Sequence, residues 1–423
     1  MKNYLNDRSA LFKIALRVFA AMLPLLTVLV INNSLGAFDA LVLLKSITLI
    51  VPLSYIARMG LDVIVVKKYE VFGFTGLQLT LDMFQSLIIV SAVSALITGI
   101  LGYFNILHTD GLINFAFFIF CVSYTMVQIQ AAIIFSRGLY FWGLMLATVV
   151  PNLIFLVYWA AYSFDVLLSA IEIMLVPAVF SACSCLVGFF VLMGQASINQ
   201  SNRSVALTCS WLRLLADPWR ALLILIPIAS HFYYVAPAIY IDESLEREIA
   251  LVNSLRLAMV LGILNSFVSM THYNDVVTAS GGYDRELNFI KNSYTNIRNS
   301  VFWLNLAIGL LLILLVTYDI PNKLGFPVVS AALFSVIVFS HLIFNLYPLR
   351  DLFLQFIWLP KEYLQVLLAA WIVVVIVGSL VERDVFFVVV SMCGVSICSS
   401  VYVFKRFQYS RVKAEENGIN IGR

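Results

Sequence analysis

Lys45 and Arg256 each interrupt an apolar run of the length that crosses a bilayer. A cation in such a run costs about 2.5 to 3.5 kcal/mol on insertion scales, and the chemistry that justifies it is the capture of an anion. Thr48 shares a helical face with Lys45, and Asn253 shares one with Arg256, so both candidate sites pair a cation with a polar neighbour one turn away. Snorkelling of Lys45 to the interface, and pairing of Arg256 with a buried carboxylate, are the competing structural readings. The sequence offers no intramembrane Asp or Glu of evident matching depth.

A second tier of residues carries weaker signals. Lys13 and Arg17 lie four apart on one face of the first apolar run, where Arg17 could meet an anionic headgroup or snorkel to lipid phosphate. Asp82 is the candidate coupling carboxylate, although its place near the start of a span also suits plain solvation. His231, His341 and Asn345 could line a polar path, with interhelical hydrogen bonding as the alternative. Arg58 and Arg220 stand at span ends and read either as headgroup contacts or as snorkelling side chains.

The elements that position these groups follow from composition. With 62% apolar and 12% charged residues, the 423-residue chain has about half the charge of a typical soluble globule and reads as an all-α polytopic membrane protein. Runs of about 20 apolar residues give about twelve spans, near 11–33, 38–58, 79–102, 111–136, 139–163, 169–193, 216–240, 246–270, 299–318, 326–348, 363–381 and 384–404. The first of these is longer than a signal-peptide core and reads as a retained span. With no water in hydrocarbon to satisfy the backbone, spans of this length must be helical.

Placing both termini in the cytoplasm gathers Lys67, Lys68, Arg137, Arg203, Arg285, Lys291, Arg298, Arg350, Lys361 and the tail cluster Lys405, Arg406, Arg411 and Lys413 on that side. Arg247, Lys323 and Arg383 then face outside. The polar stretch around Gln195 to Arg213 divides the chain into an N-terminal lobe, 1–200, and a C-terminal lobe, 201–404, followed by a tail, 405–423. Lys45 and Arg256 then belong to the second helix of each half, roughly 10 and 15 Å below the outer surface, and would face one central cavity if the halves repeat. Pro24, Pro52, Pro151, Pro177, Pro227 and Pro237 can bend the spans that carry them.

Catalytic, cofactor and nucleic-acid signatures are missing from the sequence. There is no phosphate-cradling glycine loop, nucleophile elbow or metal-ligand spacing, and no external loop large enough for a catalytic domain. The chain therefore reads as a monomeric transporter without cofactor or metal rather than an enzyme. The cysteines, Cys121, Cys183, Cys185, Cys209, Cys393 and Cys398, read as small reduced core residues.

Particular residues carry a resemblance. The first span ends in Asn32-Asn33-Ser34-Leu35-Gly36-Ala37-Phe38, the second in Ala57-Arg58-Met59-Gly60-Leu61-Asp62 before an amphipathic Val63–Tyr69, and the eighth contains Leu251-Val252-Asn253-Ser254-Leu255-Arg256-Leu257. In these segments and in its span plan the chain resembles bacterial O-antigen and polysaccharide repeat-unit flippases of the multidrug/oligosaccharidyl-lipid/polysaccharide exporter superfamily. It departs from them at Phe38-Asp39, where many members read Phe-Gly. The resemblance implies two six-helix lobes in a bacterial inner membrane, around a cationic cavity that accepts an undecaprenyl-diphosphate-linked oligosaccharide. It also implies diphosphate contact for Lys45, Arg256 and Arg17, with membrane lipid and other polysaccharide-assembly proteins as further partners. A related small-molecule antiporter would favour a carboxylate deep in the first half; a membrane glycosyltransferase or polymerase would need the external loop.

Overall fold

The computed structural model describes residues 8–58, 60–72, 74–103, 111–196, 244–262, 294–350 and 385–416, and residues 265, 268, 272, 276, 353, 363, 365–367, 369, 370, 372, 373 and 376. The expected spans 216–240 and 363–381 lie wholly or largely outside the described residues, as do His231, Arg220 and Cys209. The chain divides into two compact units, Met1–Ile224 and Leu225–Arg423.

All regular elements among the described residues are helical. Seven of these helices are long and apolar enough to cross a membrane, which makes the chain an all-α, multi-pass membrane protein. Each has room for a hydrocarbon core of about 30 Å.

In the first unit, α2 (Ala37–Arg58), the amphipathic α3 (Leu61–Phe72), α4 (Gly76–Tyr103) and α9 (Ala170–Met193) assemble around α5 (Gly111–Ser136), while α1 (Arg8–Ser34) packs mainly on the stretch that follows α5. The fit of α5 to α9 depends on small residues. Gly188 lies against the buried Gln130, and a Cβ there would collide with Gln130 Oε1 and meet Leu146 Cδ1 at 3.4 Å. Close backbone approach of this kind is how membrane helices gain packing without a hydrophobic driving force. α5 stops at Gly138, whose φ of 73° is the left-handed conformation that favours glycine just past a helix end. α9 begins from a capping box in which Ser169 and Glu172 satisfy each other's backbone N–H.

Between them, the expected span 139–163 is present as one apolar helical stretch, Phe141–Ser163, that is locally irregular. It comprises α6 (Tyr140–Leu144), a π-helical turn at Met145–Val149, α7 (Val150–Asn152) and α8 (Ile154–Ser163). Pro151 accounts for the irregularity, because its ring excludes the regular turn before it and it offers no N–H. Two side chains settle backbone carbonyls there: Asn152 donates to Thr148 O at 2.7 Å, and Thr27 of α1 donates to Asn152 O at 3.0 Å.

In the second unit, α10 (Leu245–Ala258), α11 (Thr295–Thr317), the short α12 (Ile320–Lys323), α13 (Ala331–Phe344) and α14 (Val385–Glu416) enclose a core containing Leu251, Leu255, Leu312, Phe334, Ile337 and Met392. Two expected limits shift here. The eighth span has a one-residue irregularity at Met259, where Gly262 N–H bonds to Met259 O at 2.8 Å, and residues 260–262 beyond it are again helical. The last span continues past 404 into the segment read as tail, because Lys405 to Glu416 contains no Gly or Pro to stop a helix. Cys183 and Cys398 are exposed rather than core residues, whereas Cys121 is buried; both exposed positions fall on lipid-length helices, where an apolar side chain needs no burial.

Gly188→Ala should lower the thermal unfolding midpoint of the purified protein by the equivalent of about 1–3 kcal/mol of overpacking. Adding Gln130→Ala should recover most of that loss, because it removes the colliding group.

Candidate functional site

The first unit holds Lys45 in the middle of α2, half-buried, with Leu43, Leu44, Ser46 and Leu49 buried around it along the helix. The polar residues beside Lys45 satisfy their hydroxyls on the helix's own backbone. Ser46 donates to Val42 O at 2.8 Å and Thr48 to Leu44 O at 2.7 Å. Thr48 thus directs its proton to the helix, leaving its oxygen lone pairs as the part of the hydroxyl that faces other groups. Arg17 belongs to α1, but its side chain lies outside the described residues.

Arg58, at the end of α2, is neither snorkelling nor open to a headgroup. It is buried, pairs with Asp62 Oδ2 at 3.0 Å across the turn at Gly60 (φ 75°), donates to Ser54 O at 3.3 Å, and lies 4.0 Å from the Tyr55 ring centroid. The ion pair fixes the angle between α2 and α3. Its signal in the sequence was the Arg-Met-Gly-Leu-Asp spacing, which brings opposite charges together around a tight turn.

Asp82 departs from the solvated expectation. It is only 3% exposed and accepts a hydrogen bond from Tyr69 Oη at 2.9 Å. Tyr69 lies on the buried face of α3, outside the spans, and burial together with the neighbouring Asp82 carboxylate pushes its phenol well above the ordinary value. The phenol therefore remains a proton donor across the physiological range. The carbonyl of Tyr69 in turn accepts from Arg137 Nη2 at 2.8 Å, and the Arg137 guanidinium lies 5.1 Å from the Phe74 ring centroid. Asp82, Tyr69 and Arg137 thus tie α3 to α4 and to the end of α5. Arg137, read from the sequence as a loop charge, is part of this tie.

The second unit holds Arg256 in the last turn of α10, half-buried and three residues before the irregularity at Met259. A cation at this end is favoured by the helix dipole. Asn253, one turn earlier and fully buried, donates from Nδ2 to Pro327 O at 3.0 Å, while its Oδ1 finds no partner among the described residues. Ser254 accepts from Val329 N–H at 2.9 Å and donates to Ala250 O at 2.6 Å. These two side chains hold the non-helical segment that leads into α13, so the span expected at 326–348 is helical from Ala331. The proline at 327 offers no N–H for helical bonding.

His341 is fully buried on α13, with Nδ1 3.0 Å from Ile337 O, a contact that fits an Nδ1–H tautomer. Asn345 donates to His341 O at 2.9 Å and accepts from Asn265 Nδ2 at 2.8 Å. Both carbonyl contacts run four residues back along α13, and the Asn265–Asn345 bond is the one that reaches another segment, the kind of bonding that was the alternative to a polar path. Sequence reasoning missed Asn265. It also placed Arg350 in a loop, whereas Arg350 is buried, donating to Phe344 O at 2.9 Å and Ser399 Oγ at 3.3 Å, with its guanidinium 3.8 Å from the Phe344 ring centroid. The last carbonyls of α13 attract this charge, and nothing in a linear reading marks Ser399 as its partner.

The first unit thus offers a half-buried cation within an apolar helix, and the second a half-buried cation in α10, which also carries Glu246, Arg247 and Glu248; such groups can hold an anionic oxygen by a charge-assisted hydrogen bond. No family model, no curated protein and no solved structure matches this chain.

The tie through Asp82 separates structure from coupling. Asp82→Asn keeps an oxygen for Tyr69 and should preserve both protein abundance and activity. Asp82→Ala strands the buried Tyr69 hydroxyl and should lower stability by about 1–3 kcal/mol, read as a reduced unfolding midpoint. Loss of activity in Asp82→Asn at unchanged stability would instead assign the carboxylate to coupling.

Proposed function

We propose that this protein is a flippase that carries undecaprenyl-diphosphate-linked oligosaccharide repeat units, for O-antigen or a related surface polysaccharide, from the cytoplasmic to the outer leaflet of a bacterial inner membrane. The observation that carries the reading is Lys45, a cation half-buried within the apolar helix α2, together with Arg256, half-buried in the more polar α10 of the second unit. A diphosphate is the anion we assign to each of them, with Arg17 as a further contact. Asn253, Thr48, His231, His341 and Asn345 are the proposed polar surroundings. Support also comes from the resemblance of the segments around Asn32–Phe38, Ala57–Asp62 and Leu251–Leu257 to the polysaccharide-export flippases.

The proposed architecture is about twelve spans in two six-helix lobes, with both termini in the cytoplasm. The irregular turns at Met145–Val149 and Met259 suit such a transporter, because interrupted helices supply bending points. The polyprenyl tail stays in lipid while the charged head crosses. The membrane potential assists, since about two negative charges moving outward gain roughly 2.3 kcal/mol each per 100 mV. No covalent bond changes, so the protein acts as a transporter rather than an enzyme and needs no cofactor.

A multidrug antiporter of the related class is the second reading, favoured by the burial of Asp82. The hydrogen bond from Tyr69 and the cations of α2 and α10 weigh against it.

Lys45→Ala and Arg256→Ala should each abolish surface polymer at normal protein abundance, with lipid-linked repeat units accumulating at the cytoplasmic face. Lys45→Arg should retain part of the export. Full export by the double alanine variant would overturn the assignment.

A further inference from the structure

A groove in the second unit points to a second ligand, of a different class from the proposed cargo and independent of that proposal. It runs between the segment holding Val366 and Ala369 and the outer part of α14. On α14 the wall follows one ridge of the helix, Ile397, Val401 and Lys405, each four residues from the next. The ridge changes character along its length. Ile397 and Val401 are 43% and 48% exposed hydrocarbon, and about 12 Å further along the axis the wall ends in the cations Lys405 and Arg406, beside Tyr409.

This sequence of apolar wall followed by cations falls where α14 passes from its apolar run into its basic end. The back of the groove is fixed: Tyr363, fully buried, shares a hydrogen bond with Ser399 Oγ at 2.9 Å and packs on Tyr402 with ring centroids 5.5 Å apart. At the polar end, Arg406 lies 5.5 Å from the Tyr409 ring centroid. Its Nε is buried and has no hydrogen-bond partner among the described residues. Lys405 is exposed. A guanidinium half-sequestered beside an exposed ammonium, at the mouth of an apolar channel, matches a phosphodiester attached to hydrocarbon. The bilayer itself supplies that chemistry, and basic pockets between spans at the membrane surface are a recognised form of it.

We propose that this groove binds an anionic glycerophospholipid, its headgroup phosphate between Lys405 and Arg406 and an acyl chain along Val401, Ile397, Val366 and Ala369. The bound lipid bridges α14 and the preceding segment from the membrane side. A neutral or zwitterionic lipid satisfies the hydrocarbon wall but leaves the two cations without compensating net charge, so the site selects for anionic headgroups.

The test uses the full-length protein in lipid nanodiscs containing phosphatidylethanolamine and phosphatidylglycerol, with retained lipids counted by native mass spectrometry. Wild type should retain phosphatidylglycerol selectively. Lys405→Gln with Arg406→Gln should reduce that retention about tenfold, as expected for loss of cations that each attract anionic lipid, while Lys405→Arg with Arg406→Lys preserves it. Ala369→Trp, which fills the groove and keeps both charges, should also release the lipid. Retention insensitive to either change would overturn the proposal. So would an equal loss from Arg411→Gln with Lys413→Gln, which would indicate diffuse attraction to the basic helix end. Preferential displacement by polyprenyl phosphate at equal mole fraction would assign the groove to the cargo's lipid instead. If a variant fails to fold, wild type decides: phosphatidylglycerol should raise its unfolding temperature above that seen in phosphatidylcholine, and equal midpoints would contradict the proposal.

Discussion

Backbone hydrogen bonding in hydrocarbon governs this structure. Lipid offers no partner to an open carbonyl or N–H, so each irregularity in a span needs a side chain to settle it. Within the helices, short polar side chains satisfy their own hydroxyls against carbonyls of the preceding turn. Thr125 donates to Cys121 O at 2.6 Å, Ser254 to Ala250 O at 2.6 Å, Ser335 to Ala331 O at 2.7 Å and Ser396 to Met392 O at 2.8 Å, all in the i to i−4 pattern. Where helices turn irregular or end, the donors come from further away. Thr27 reaches Asn152 O, Asn253 reaches Pro327 O, and Ser400 reaches Ile343 O at 2.6 Å.

Against this background the polar residues separate into two groups. Thr48, Asn253, His341 and Asn345 each contact backbone carbonyls, so their positions are explained by the helices they complete. Asp82 belongs with them through Tyr69, and Arg58 and Arg350 are charges drawn into helix junctions. Lys45 is a half-buried charge set within the apolar α2 and Arg256 is one set in the more polar α10, and the proposed transport reading rests on them. The same physical demand thus builds the scaffold and distinguishes the residues assigned to function.

Much of the fold was legible because a membrane span has a simple signature. The limits of α2, α4, α5 and α9 fall within a few residues of the apolar runs that mark them. The irregular turns were less legible. Pro151 signalled a bend, yet a π-helical turn depends on how Asn152, Thr148 and Thr27 meet, which is a tertiary arrangement. Met259 carries no turn signal at all. Residues near span ends were the hardest to place, since hydropathy cannot tell a charge at the interface from one folded under it. The burial of Asp82 and Arg350 was missed for that reason, and Asn265 was overlooked because its partner, Asn345, lies 80 residues away.

The central claim is that the cations of α2 and α10 serve a translocated diphosphate. The most direct measurement reconstitutes the purified protein in sealed vesicles carrying a polyprenyl-diphosphate-linked oligosaccharide and follows the glycan's accessibility to an external probe over time. The account predicts protein-dependent transfer between leaflets that is accelerated by a potential positive on the receiving side. No transfer by protein that is folded and correctly inserted, together with efflux of an organic cation from the same vesicles, would contradict it.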